Sequence, residues 1–115
     1  MNLLNLDDEK FKDITAMGYG FKVRYISPMD RVQITQRRMN LQDGKQVECL
    51  TESEFMFFEN IAINDICIET YPKGFNKNES CIKWPDINLI NMVAYEIRKH
   101  TADIEEELKK NKPID

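Results

Sequence analysis

At 115 residues the chain has room for one domain with a modest core, and its 42% hydrophobic and 31% charged residues describe a folded protein. A net charge of -4 and a pI near 5.1 argue against a general affinity for nucleic acid. The balance shifts along the chain: through Leu50 eight Lys/Arg meet seven Asp/Glu, a net +1, and after it eight meet thirteen, a net -5.

Three cysteines, Cys49, Cys67 and Cys81, are too widely spaced for a CxxC metal pair, and an odd number argues against a secreted disulfide framework. Reduced, partly buried thiols are expected, in a cytoplasmic protein. Met1 to Asp8 has neither a basic stretch nor a continuous apolar run, so it does not read as a signal peptide. Nowhere does an apolar run approach the roughly 20 residues of a membrane span.

Residues 1–20 are polar and acidic and end in Met17-Gly18-Tyr19-Gly20; they read as a flexible arm, with one helical turn around Glu9 to Ile14 and the glycines as a joint. Phe21-Lys22-Val23-Arg24-Tyr25-Ile26 alternates apolar and polar, the pattern of a half-buried strand. Gln46 to Leu50, after the turn signal Asp43-Gly44, is its expected partner; if that pairing fails, the edge is open to another chain. Ser27-Pro28-Met29-Asp30 starts a helix to about Asn40, with Ser27 as cap, Pro28 at the first turn and Asp30 at the positive dipole end. Arg31, Arg37 and Arg38 give it a broad basic face.

Thr51-Glu52-Ser53-Glu54 has the spacing of a capping box and opens a helix to about Glu69. Its apolar residues, Phe55, Phe57, Phe58, Ile61 and Ile66 among them, fill so wide a sector that burial on most sides is expected, with this helix at the centre of the domain. Tyr71 to Ser80 is a loop rich in turn residues, and Cys81-Ile82-Lys83-Trp84 leads into a final helix from Asp86 to Lys110. At about 1.5 Å per residue that helix is roughly 37 Å long. So small a body cannot cover it all, and the charged stretch beyond His100 is expected to project or fray. The expected fold is therefore mainly α: a single helical domain over residues 21–115, with three main helices, one short N-terminal strand or hairpin, and a long C-terminal helix.

The chemistry is sparse. His100 is the only histidine, so base-assisted catalysis by Ser or Cys has one candidate base. Glu96, His100 and Asp103 share a helix face, yet a solvated charged face explains them more simply than a metal site. No GxSxG, HExxH, P-loop or EF-hand pattern occurs. Neither an enzyme nor a cofactor is expected, and no metal. Arg31, Arg37 and Arg38 raise the alternative of a small DNA-binding regulator, but about ten residues separate the first two helices, too many for a helix-turn-helix. Ion pairing with the acidic final helix is the simpler account. A surface for protein partners remains. Its candidate residues are the large aromatics Trp84 and Tyr71 beside the loop, with Phe75, Phe57 and Tyr25.

The order of these features resembles the small tail assembly chaperones of long-tailed bacteriophages and the related small baseplate-assembly proteins. The strand Phe21–Ile26 runs straight into a Ser27-Pro28 helix. An aromatic helix follows, then Tyr71-Pro72…Phe75, then Trp84-Pro85-Asp86-Ile87-Asn88 opening a helix with Val93, Ile97 and an acidic tail. The resemblance covers about residues 21–110, and the arm before Gly18 has no counterpart in it. It implies a non-catalytic helper in the host-cell cytoplasm. Such a helper binds the tape measure protein, or another tail component, during tail assembly; it self-associates and is absent from the finished particle. A structural phage protein, a head–tail connector or completion protein, is the nearest alternative.

Overall fold

The computed structural model describes residues 9–110. Its first elements are two strands, β1 (Phe11–Ala16) and β2 (Tyr19–Arg24), paired antiparallel from Phe11 opposite Arg24 to Ala16 opposite Tyr19. The side chains follow the two-residue period of a half-buried sheet: Ile14, Ala16, Phe21 and Val23 are buried while Asp13 and Lys22 are exposed. A third strand, β3 (Ile68–Thr70), joins the other side of β2 through a bulge at Lys22/Val23, giving the order β1-β2-β3. The helices are α1 (Pro28–Gln42), α2 (Glu52–Cys67) and α3 (Ile87–Lys110), with 3-10 turns at Val47–Cys49 and Cys81–Lys83.

The expectation of a mainly α fold with one strand or hairpin is therefore corrected: three helices and a three-stranded antiparallel sheet make an α+β fold, 61% helical and 15% strand. Residues 11–16, assigned to the arm, are the strand that pairs with β2. The segment expected in that role, around Gln46 to Leu50, is a 3-10 turn with Val47 exposed. The six residues between the Asp43–Gly44 turn and the Thr51 cap coil into that 3-10 turn, and the free edge of β2 is taken by β3. The first eight residues of the expected arm, and residues 111–115, lie outside the described residues.

Both expected helix starts hold. Ser27 and Asp30 exchange hydrogen bonds as a capping box at α1, and Thr51 and Glu54 do the same at α2. At α1 the Asp30 carboxylate does more. Burial works to raise its pKa, but the Arg24 guanidinium, at 2.9 Å, and the Ser27 donors outweigh burial and hold it below the usual value. Arg24 also reaches Glu69 of β3, so one side chain links both strands to the start of α1.

The main core lies between the sheet and the helices, built from residues such as Phe21, Val23, Ile34, Ile63, Val93 and Ile97. A smaller cluster of Ile61, Cys81 and Ile90 continues it between α2 and α3. Two expectations about the helices change here. Phe55, Phe57 and Phe58 are only half-buried, and the centre of α2 is Asn60 to Asn64 with Cys67. The first turns of α2 reach past the core, and Arg38 lies over the Phe55 ring at 4.7 Å. The end of α3 does not project directly after His100, because His100, Thr101 and Ile104 are all buried. Their anchors lie far back in the chain: Thr101 Oγ1 accepts from the Ile26 amide at 2.8 Å, and His100 Nε2 sits 3.0 Å from the Lys10 carbonyl oxygen. Among the described residues no helix is long and apolar enough to cross a membrane.

Candidate functional site

The β1–β2 turn is Met17-Gly18, with φ of 51° and 84°. Positive φ at both central residues defines the tight two-residue hairpin turn whose twist matches the strands, and glycine takes the second position without a Cβ penalty. So tight a turn carries Met17 and Tyr19 to the tip of the sheet with their side chains exposed, at 48% and 46%.

The loop between β3 and α3 faces this tip. Gly74, at φ 96°, lets the chain reverse so that the Phe75 amide donates to the Pro72 carbonyl. Farther on, Asp65 of α2 fastens the loop: its carboxylate accepts from the Ser80 hydroxyl at 2.6 Å and the Cys81 amide at 2.9 Å, and Arg37 pairs with it at 3.2 Å. The loop is thus pinned at the point where it turns toward α3.

Between tip and loop the aromatic rings form one cluster around Phe21, which is buried. Phe75 and Trp84 stand edge to face at 5.2 Å, and each meets Phe21 at 5.5–5.6 Å. Tyr71 meets Phe21 from another side at 6.3 Å, and Tyr19 meets Phe75 edge-on at 5.2 Å. Such pairs add about 0.5–1.5 kcal/mol each beyond the area they bury. Above the cluster lies a groove of about 680 Å³, floored by Phe75, Trp84 and Leu89, flanked by Met17 and Tyr19. Lys73, Glu79, Lys83 and Asp86 form its charged rim. An apolar, aromatic-lined cleft with a polar rim is the physical form of an anchor pocket for a partner's side chain.

The groove offers little to acid–base chemistry. Burial pushes the Tyr71 hydroxyl up to about 12, so it stays protonated at neutral pH. Cys67, outside the groove, is likewise pushed to about 12 by burial, and Cys81 is raised for the same first cause, so both remain thiols. Among the described residues no three His, Cys, Asp or Glu side chains are grouped to hold a metal ion, and His100 is turned into the core.

Of the five aromatics singled out from the sequence, the fold brings Tyr71, Phe75 and Trp84 together. Phe57 is elsewhere, ring to ring with Phe58 at 6.1 Å and packed on the Ile61–Cys81–Ile90 cluster. Tyr25 is separate too, half-buried just past β2, its amide donating to the Lys10 carbonyl. Met17, Tyr19 and Leu89 were not singled out. The two-residue alternation through Phe21 and Val23, carried two positions back, places Tyr19 on the same face of the strand.

A second groove of about 550 Å³ lies between the three helices, where Arg31 and Arg98 flank an apolar floor that includes Ile34 and Ile63. Burial lowers the Arg98 pKa while neighbouring Glu59 opposes the shift, and Arg31 is paired with Glu105 at 2.7 Å. Its charges balance within the protein, so the aromatic groove is the better candidate. Comparison with family models, with curated proteins and with solved structures finds no match to this chain.

Proposed function

We infer that this protein is a non-catalytic binding factor that uses the groove between the hairpin tip and the Tyr71–Asp86 loop to hold apolar side chains of a partner protein. The observation that carries this is the exposure of Met17 and Tyr19 beside half-buried Phe75 and Trp84: a concave aromatic surface on a scaffold that fixes both walls. The order of sequence features supports a particular partner, the tape measure protein or another tail component of a long-tailed phage, with the protein acting as a tail assembly chaperone. A net charge of -4 on a chain that carries an apolar groove suits a factor that keeps an aggregation-prone chain in solution.

DNA binding is the weaker reading. Arg31 and Arg37 are paired with Glu105 and Asp65, and Arg38 lies over Phe55. The basic face of α1 is largely spent inside the protein.

Co-expression with the tape measure protein followed by affinity capture is expected to recover a complex. Tyr19→Ala removes a half-exposed ring and its edge contact with Phe75, so the melting temperature is expected to fall by only a few degrees while affinity falls about 30-fold, as for an interface anchor worth about 2 kcal/mol. A client that stays insoluble and uncaptured, or that binds Tyr19→Ala as tightly as the parent, rules the reading out.

A further inference from the structure

The two edges of the sheet are built differently. β3 is three residues long, bulged against β2 and followed by Pro72, all features that blunt an edge. β1 is six residues long with no proline, and its register with β2 is unbroken. The Tyr25 amide bonds the Lys10 carbonyl, so even-numbered residues of this strand face β2 and the backbone groups of Phe11, Asp13 and Thr15 point outward. Among the described residues nothing bonds to them. A long, regular strand edge with free donors and acceptors is a template for another strand.

We propose that this edge is a self-association surface, on which a second copy of the chain lays its own β1 antiparallel and joins two three-stranded sheets into one. The charges along the strand select the occupant and the register. An antiparallel partner pairs odd positions with odd and even with even. Centred on Lys12 the pairing sets lysine against lysine, and centred on Asp13 it sets aspartate against aspartate; like charges directly opposite destabilise a strand pair. Centred on Thr15 the strands overlap only over residues 14–16. Centred on Ile14 the strand meets itself without conflict: Ile14 faces Ile14, Asp13 faces Thr15, and Lys12 faces Ala16. The centre of the join on the inner face is then the Ile14 pair, continuous with the core that Ile14 and Ala16 already enter, with each Lys12 flanking it beside an alanine rather than another charge. This surface is distinct from the aromatic groove and stands whether or not the groove binds its client.

Sedimentation velocity of the full chain from micromolar to millimolar concentration is expected to reveal a species of twice the 13.6 kDa chain mass. Thr15→Pro removes an outward amide that β2 does not use, and is expected to return the protein to single-chain mass with unchanged circular dichroism. Should that variant fail to fold, cysteine pairs decide. In a Cys49→Ser background, which removes the exposed thiol, Ile14→Cys is expected to form an intermolecular disulfide and Asp13→Cys is not. A single-chain mass at every concentration overturns the proposal. So does a dimer that persists in folded Thr15→Pro, or a disulfide at position 13 and none at 14.

Discussion

From Leu89 to Ile97 the inward face of α3 is hydrocarbon: Leu89, Ile90, Val93, Ala94 and Ile97 are each 4% exposed or less. Four residues on, the same face changes character. His100 and Thr101 are also buried, but they meet backbone groups, the Lys10 carbonyl and the Ile26 amide, and at the rim Glu105 meets Arg31. One helix is thus held by apolar burial in its first half and by a few directed polar contacts in its second. Burial is non-directional and scales with area, whereas each polar contact matters most for the group it would leave unpaired.

Substitutions along the helix separate the two. Ile97→Ala deletes buried carbon at the densest point and is expected to cost about 2–5 kcal/mol in urea unfolding. Thr101→Val keeps the shape but strands the buried Ile26 amide, an expected loss of about 1–3 kcal/mol; a neutral result would mean that the second half is not held by that bond. Asp30, a residue away from Arg31 at the start of α1, makes its contribution at neutral pH and loses it in acid. Its folded pKa is lowered, so its contribution is complete above the ordinary carboxylate range and disappears as pH falls through the folded value. Asp30→Asn is accordingly expected to flatten the acid side of the stability profile, measured by melting temperature against pH. Glu105→Ala comes last: the pair with Arg31 is exposed on both sides, and its loss is expected to cost no more than about 0.5 kcal/mol, shrinking further in salt. A larger effect there would move the rim into the same class as Thr101.

The parts of this fold legible in the sequence are those decided locally. Ser27 with Asp30, and Thr51 with Glu54, place two helix starts within a single turn of chain, and both stand where the spacing put them. The missed parts depend on residues far apart. Phe11 and Ile14 are three apart, the spacing of one helix face but of opposite strand faces, and what makes β1 a strand is pairing with β2 through a Met-Gly turn that lacks the usual Asn-Gly or Asp-Gly signal. Ile68 continues the apolar run of α2, and only the edge of β2 makes Ile68 to Thr70 a strand. The aromatic groove was half legible for the same reason. Trp84, Phe75 and Tyr71 are conspicuous around a loop, but Tyr19 becomes their neighbour only once the hairpin closes.

The bonds from Lys10 to His100 and from Ile26 to Thr101 span 90 and 75 positions. During synthesis the hairpin and the first two helices emerge before the groups that receive them exist. Local pieces can form on the nascent chain, but closure waits for α3 to clear the ribosome, as expected where loop closure precedes the contacts that reward it. Until then Ile14, Phe21 and Val23 have no helix to cover them. The interval of greatest exposure to misassembly thus lasts until His100 and Thr101 have emerged, and a chain truncated before Thr101 never leaves it.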